Sequence, residues 1–113
     1  MIIDFNAMEP NMTPNMLGGE GTIEVKSFLD DAGKILMITV HPGCSIGEHT
    51  HVLNYEVCHC LKGSAKVIYD HTVEERMVPG ASYYCPKGHS HTVINDTDED
   101  MVMFCVVCGI KMA

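Results

Sequence analysis

Short apolar runs separated by turn residues fill most of the chain after residue 21. Each run has the length of a strand, and no segment has a persuasive helical period. Glycine, proline, asparagine and aspartate lie between the runs. Many short strands at this close spacing predict an all-β fold, either an antiparallel sandwich or a barrel. The runs are 22–29, 34–40, 55–61, 65–70, 76–78, 82–85, 91–95 and 101–108.

The first 21 residues have a different pattern. Residues 8–21 contain two prolines and three glycines and show no apolar period, which is typical of irregular structure. The 113 residues suit one domain with a real core. We therefore predict an N-terminal arm over 1–21 and a single barrel domain over 22–113.

Two runs, 34–40 and 101–108, are apolar on both faces of the predicted strands. An antiparallel sheet with one solvated face would alternate apolar and polar residues instead. The pattern favours a barrel whose outer face meets a second subunit, and a symmetric homodimer is the commonest closed form. The alternative is that these outward apolar residues are ordinary surface, since such residues are common there.

The charge balance limits the classes of partner. Fifteen acidic residues against seven basic ones give a net charge of −8, whereas nucleic acids and anionic membranes require a basic patch. The N-terminus lacks the pattern of a secretion signal, and the longest apolar run, 101–110, is strand-sized. We therefore expect a cytoplasmic protein that binds neither nucleic acid nor membrane, and in which the six cysteines are reduced thiols.

A cluster of possible metal ligands follows residue 46. His49 and His51 are two residues apart, so on a strand they face the same side, about 7 Å apart. Glu56 begins the next run, and a neighbouring strand can bring it back to that side. Imidazole and carboxylate groups bind Zn, Fe, Mn, Ni or Cu. A fourth ligand could come from His89 or His91, although H-x-H also occurs by chance on surfaces.

The glycines and prolines around these residues form two gapped motifs. One reads G-x5-H-x-H-x4-E-x6-G over 43–63, and the other reads G-x5-P-x-G-x2-H-x3-N over 80–95. Together they resemble the two motifs of the cupin superfamily, and the short segment between them resembles that of small single-domain bacterial cupins. The resemblance implies an antiparallel jelly-roll β-barrel. It also implies one divalent transition metal (Fe, Mn, Zn or Ni) held by four ligands: His49, His51, Glu56 and His91.

The resemblance also implies a class of function. Four protein ligands leave two positions open on a six-coordinate metal, which permits Lewis-acid catalysis or oxygen activation. We therefore expect a metal-dependent enzyme acting on a small organic molecule, of the dioxygenase, isomerase or decarboxylase type. The alternative is a non-catalytic barrel that binds a small molecule or is merely stabilised by its metal.

Other residues are weaker candidates for the chemistry. His89, Tyr69 and either Tyr83 or Tyr84 could carry protons. Cys58 and Cys60 would share the inner face with Glu56 if that strand alternates, and Cys58 could then be a soft ligand or redox-sensitive group near the metal. Buried cysteines more often simply pack a core. Cys105 and Cys108 are three apart on a predicted strand and face opposite sides, which disfavours a redox pair.

Basic residues that could hold an anionic ligand are scarce. Arg76 is the only arginine, and no obvious clamp for phosphate or a dicarboxylate is visible, although Lys26 or Lys66 could face inward. A small neutral or weakly anionic ligand therefore fits the sequence better.

Overall fold

The computed structural model describes residues 1–109 and confirms the all-β prediction. Ten strands form, together with two short 3-10 turns at Phe5–Ala7 and Met16–Gly18. None of the helical segments described is long and apolar enough to cross a membrane. The strands are β1 (Asn11–Pro14), β2 (Thr22–Asp30), β3 (Gly33–Val40), β4 (Ser45–Thr50), β5 (Asn54–Lys62), β6 (Ala65–Tyr69), β7 (Val73–Met77), β8 (Ser82–Cys85), β9 (Ser90–Ile94) and β10 (Met101–Gly109).

The strands form two antiparallel sheets that face each other. The larger sheet has the order β1-β2-β3-β10-β5-β8, and the smaller has the order β4-β9-β6-β7. Neighbours such as β3 and β10, or β4 and β9, are far apart in the chain, and the chain passes repeatedly from one sheet to the other. This is a jelly-roll barrel, as predicted.

Alternating burial along the strands fills the space between the sheets. On β3, Leu36, Ile38 and Val40 are buried, while the residues between them are partly exposed. The same alternation runs along β10, where the inner residues are Met101, Met103, Cys105 and Val107. The core consists of medium-sized aliphatic and sulfur-containing side chains. The chain has no tryptophan that could add a larger one.

The outer faces of β3 and β10 carry the apolar residues that led us to predict a dimer. Met37 and Phe104 are partly exposed there. Phe5 from the N-terminal segment packs edge-on against Phe104, with ring centroids 6.1 Å apart. The arm thus covers part of this face, and the homodimer stays a prediction.

The prediction of an irregular arm is wrong for residues 11–14. These residues form β1, which pairs with the first half of β2. The following turn lies against β4, where a side chain on Gly19 or Gly47 would overlap backbone atoms of the opposite segment. Glycine at both positions is what allows this close approach. The division into 1–21 and 22–113 stays a prediction.

Asn95 connects the end of β3 to the segment between β9 and β10. Its fully buried amide donates hydrogen bonds to the carbonyls of Val40 and Glu99, at 2.7 and 2.8 Å. Its side-chain oxygen accepts from the backbone N–H and the hydroxyl of Thr97. Asn95 therefore stabilises the chain connection between β9 and β10 and does not contact the candidate site described below.

Candidate metal centre

Four side chains converge between the two sheets. His49 lies near the end of β4 and is the direct cross-strand partner of His91 on β9. His51 follows β4, and Glu56 reaches the same space from β5 in the opposite sheet. Their ligand atoms all lie within 4.8 Å of one another. The H-x-H pair, the glutamate and the later histidine are thus brought together.

The cluster is withdrawn from solvent. His51 and Glu56 are each 7% exposed and His91 is 1% exposed. The Glu56 Oε1 atom lies 2.9 Å from His91 Nε2 and 3.4 Å from His51 Nε2. The two imidazole Nε2 atoms are 3.1 Å apart. Groups this close and this buried require a shared proton or a cation among them.

The hydrogen bonds around the cluster orient two of the rings. His49 Nδ1 lies 2.8 Å from the carbonyl oxygen of Gly47, and His51 Nδ1 lies 2.8 Å from Oδ1 of Asn54. Both acceptors favour the tautomer whose Nδ1–H is donated outward, so the Nε2 lone pairs point into the cluster. Outer partners of this kind accompany most metal-binding histidines.

The spacing of the donor atoms also suits a metal. Two donors about 2.1 Å from an ion and at right angles lie about 3.0 Å apart. The 3.1 Å between the Nε2 atoms of His51 and His91 agrees with this value. His91 Nδ1 is buried without a hydrogen-bond partner among the described residues. The ring of His91 therefore lacks the outer hydrogen bond that the rings of His49 and His51 have. The set of three histidines and one carboxylate is compatible with a divalent transition metal.

The protonation equilibria of the cluster are strongly coupled. Burial acts to raise the pKa of Glu56, but the hydrogen bonds with His51 and His91 outweigh it, and the pKa lies well below its usual range. The hydrogen bond to Glu56 raises the pKa of His51, whereas burial lowers the pKa of His49. The carboxylate is therefore ionised, and His49 favours the neutral form that a metal requires.

A pocket of about 240 Å³ opens beside the cluster. Lys34 and Thr50, which are exposed, line it together with the four clustered residues, so it reaches the surface. The N-terminal segment contributes Met16 and Leu17, and Leu17 has a left-handed backbone with φ of 53°. The remaining wall is largely apolar: Leu36, Ile38, Ile46, Val93, Met103 and Val107. The site is thus an open cavity rather than a sealed one.

The predicted proton carriers His89 and Tyr69 are not among the residues that line this pocket. His89 Nδ1 lies 2.6 Å from a carboxylate oxygen of Asp70 and 2.7 Å from the Tyr69 hydroxyl, and the two rings stack. Asp70 also accepts from the backbone N–H of Ser90. These contacts fix the turn after β6 beside β9, and a catalytic role for either residue stays a prediction.

The inward-facing cysteines pack the core. Cys58 and Cys60 are 1% and 0% exposed and do not line the 240 Å³ pocket. Cys58 lies directly across from Cys105 on β10, and a hydrogen bond between the two thiols, together with burial, raises the pKa of Cys58 well above its usual range. Sulfur atoms of both lie within 4.8 Å of the Glu56 carboxylate. The packing interpretation is the one that these positions support.

Lys34 is the pocket residue that sequence reasoning missed. Lys26 and Lys66 were named as lysines that could face inward, but neither lines the pocket, and Lys66 pairs with Glu74 at 3.6 Å. The signal was available, because Lys34 precedes Leu36 by two residues and shares its face of β3.

Comparisons with known proteins agree with this architecture. A family model described as "Cupin domain" matches residues 36–107. The oxalate-binding protein of Thermotoga maritima is 25% identical to this chain over an aligned length of 113. The alignment covers 95% of this chain and 93% of that protein.

Solved structures give the same result. A protein described as a predicted oxalate decarboxylase from Thermotoga maritima superposes with a TM-score of 0.91 at 22% identity, covering 97% of this chain and 100% of that one. A Cupin 2 conserved barrel domain protein from Salinispora arenicola has a TM-score of 0.75 at 24% identity, with 96% and 87% of the chains covered. At these identities the structural likeness establishes the fold alone.

Proposed function

The chain belongs to the cupin family, and on this premise we propose that it holds one divalent transition metal and binds a small organic acid at that metal. The proposed metal ligands are His49, His51, Glu56 and His91. One observation carries the proposal: the four donor groups converge at the wall of a pocket that opens to solvent. The relative named for oxalate binding supports a small acid as the ligand.

Each part of the pocket has a physical role in this proposal. Gly47 and Asn54 hold the rings of His49 and His51 with their Nε2 atoms directed inward. The apolar wall lowers the local dielectric constant and would therefore strengthen electrostatic interactions with a bound ligand. A metal held there would act as a Lewis acid toward ligand oxygen atoms. A pocket of about 240 Å³ lies below the roughly 300–1,000 Å³ of pockets for drug-sized ligands, which favours a small molecule.

Catalysis on such a ligand is the second candidate function, and the open pocket favours it over a purely structural metal. The reaction would be of the dioxygenase, isomerase or decarboxylase type. Among the described residues that line the pocket, the ionisable ones are the four proposed ligands and Lys34. Proton transfer would therefore involve Lys34 or water, unless His89 or Tyr69 moves toward the pocket.

Metal analysis and calorimetry test the first proposal. Purified protein should contain about one transition metal ion per chain, and oxalate should bind the metal-loaded protein but not the metal-free protein. His51→Ala should lose both properties. His59→Ala is the matched control, because His59 lies on the opposite face of β5 from Glu56. Equal oxalate binding with and without metal would contradict the proposal.

A panel of small acids under aerobic and anaerobic conditions tests turnover. Consumption only in air would indicate an oxygenase, and consumption in both conditions would indicate a decarboxylase or isomerase. Binding without consumption of any member would favour the non-catalytic barrel.

A further inference from the structure

Lys34 lines the pocket close to its mouth. It continues the inner face of β3 that includes Leu36 and Ile38, and its direct cross-strand partner is Val107 on β10. Paired residues on adjacent antiparallel strands face the same side, and Val107 also lines the pocket. Both the alternation and the pairing therefore direct Lys34 toward the cavity that holds the metal centre.

The Lys34 ammonium has no carboxylate within 4.0 Å in the part of the chain that the structure describes. Two other cations are paired: Lys66 with Glu74, and Arg76 with Asp96 through two bonds of 2.7 Å. Lys34 also lines a surface groove that adjoins the pocket. Its charge is therefore available at the point where a ligand would enter.

A count of charges identifies the ligand that such a pocket accepts. A divalent ion and the Glu56 carboxylate leave one net positive charge, and Lys34 adds a second. The apolar wall cannot compensate the charge at the proposed metal, which would be costly to leave uncompensated there, and Lys34 adds positive charge at the exposed mouth. The chain as a whole carries −8, so an anion is attracted only where positive charge is concentrated.

From these observations we infer that Lys34 is a specificity-determining residue, which selects dianionic acids by pairing with the ligand carboxylate that points toward the pocket mouth. The inference rests on the proposed metal-dependent binding of a small acid. It replaces the expectation of a neutral or weakly anionic ligand, which followed from the lack of a visible clamp. The chemical class is a short dicarboxylate whose adjacent oxygen atoms face the metal.

The test compares oxalate with oxamate, which has nearly the same shape but one negative charge instead of two. Binding to manganese-loaded protein is measured by calorimetry for the wild type, Lys34→Met, Lys34→Arg and the control Lys26→Met. Lys26 is a partly exposed lysine on β2 that does not line the pocket. Manganese affinity is measured for each variant as well.

Lys34→Met should weaken oxalate binding about ten- to hundredfold, the effect of losing one hydrogen bond between charged groups. The preference for oxalate over oxamate should shrink by a similar factor, while manganese affinity is kept. Lys34→Arg should retain most of the preference, and Lys26→Met should match the wild type.

Two results would overturn the inference, and they differ in what else they affect. If Lys34→Met keeps the oxalate affinity and the preference of the wild type, Lys34 does not select the ligand, and the proposed function survives. If the manganese-loaded wild type binds neither acid, the proposed function fails and the inference fails with it.

Discussion

Replacing Asn54 with alanine should weaken metal binding without disturbing the barrel. The Asn54 side-chain oxygen accepts the Nδ1–H of His51 at 2.8 Å, and His51 is only 7% exposed, so water cannot readily take its place. Loss of an outer partner of this kind typically costs about 10- to 100-fold in metal affinity, or about 1.4–2.8 kcal/mol. Asn54 is the informative residue because the corresponding partner of His49 is the backbone of Gly47, which no side-chain substitution removes.

The assay is a competition titration against a chromophoric chelator at constant pH. Asn54→Asp is the matched variant, because a carboxylate at this position still accepts the His51 proton and should hold affinity at or above that of the wild type. His59→Ala controls for a histidine substitution outside the cluster. The reasoning is refuted if Asn54→Ala and Asn54→Asp both bind within about twofold of the wild type, since the bond to His51 would then contribute nothing to the site.

Four further predictions follow from the structure. Replacing both His49 and His51 with alanine should abolish metal binding, and full metal content in that variant would show that the ligand assignment is wrong. Metal affinity should fall as pH decreases from about 7.5 to 5, because histidine must lose its proton to bind a metal. The raised pKa of His51 means that protons compete with the metal at higher pH than for a free histidine. A flat profile would indicate different ligands. His41→Gln should lower the melting temperature more near pH 5.5 than near pH 8.5. Hydrogen bonding to Asp100 raises the pKa of His41 above 6.5, so its contribution is complete at low pH and is lost as pH rises through the folded-state pKa; an equal loss at both pH values would contradict this. Sedimentation at micromolar concentration should show a dimer formed through the outer apolar face, and a clean monomer would exclude it.

Where local rules are sufficient, the sequence predicts most of the strands and the convergence of the candidate ligands. Strand alternation places His49 and His51 on one side, and Glu56 lies near the start of the next strand, a short distance along the chain. The choice of His91 over His89 came from the family resemblance. Its structural basis is the pairing of His91 with His49 across β4 and β9, a register between residues 42 positions apart that no local pattern reveals.

The two main misses also have physical causes. β1 contains Pro14 and is only four residues long, so its own propensity is poor, and it exists because β2 offers an unpaired edge. The second miss is Lys34, the second residue of β3, which lines the pocket, whereas Lys26 and Lys66 do not. A long charged side chain at the mouth of a barrel can keep its stem along the wall and its ammonium in water, so inward direction and exposure do not conflict there.

The distribution of charge relates the metal to its ligand. An acidic chain attracts cations from solution and repels anions, so the protein as a whole favours loading of the metal and opposes binding of an acid. Inside the pocket the balance would be opposite, because the proposed metal ion and Lys34 would supply positive charge beside an apolar wall. Binding of the acid should therefore depend on prior binding of the metal. Without the metal, the negative charge of the Glu56 carboxylate would be uncompensated and would repel the acid. If the proposed metal supplies most of the positive charge, one lysine would be sufficient as the clamp for the acid.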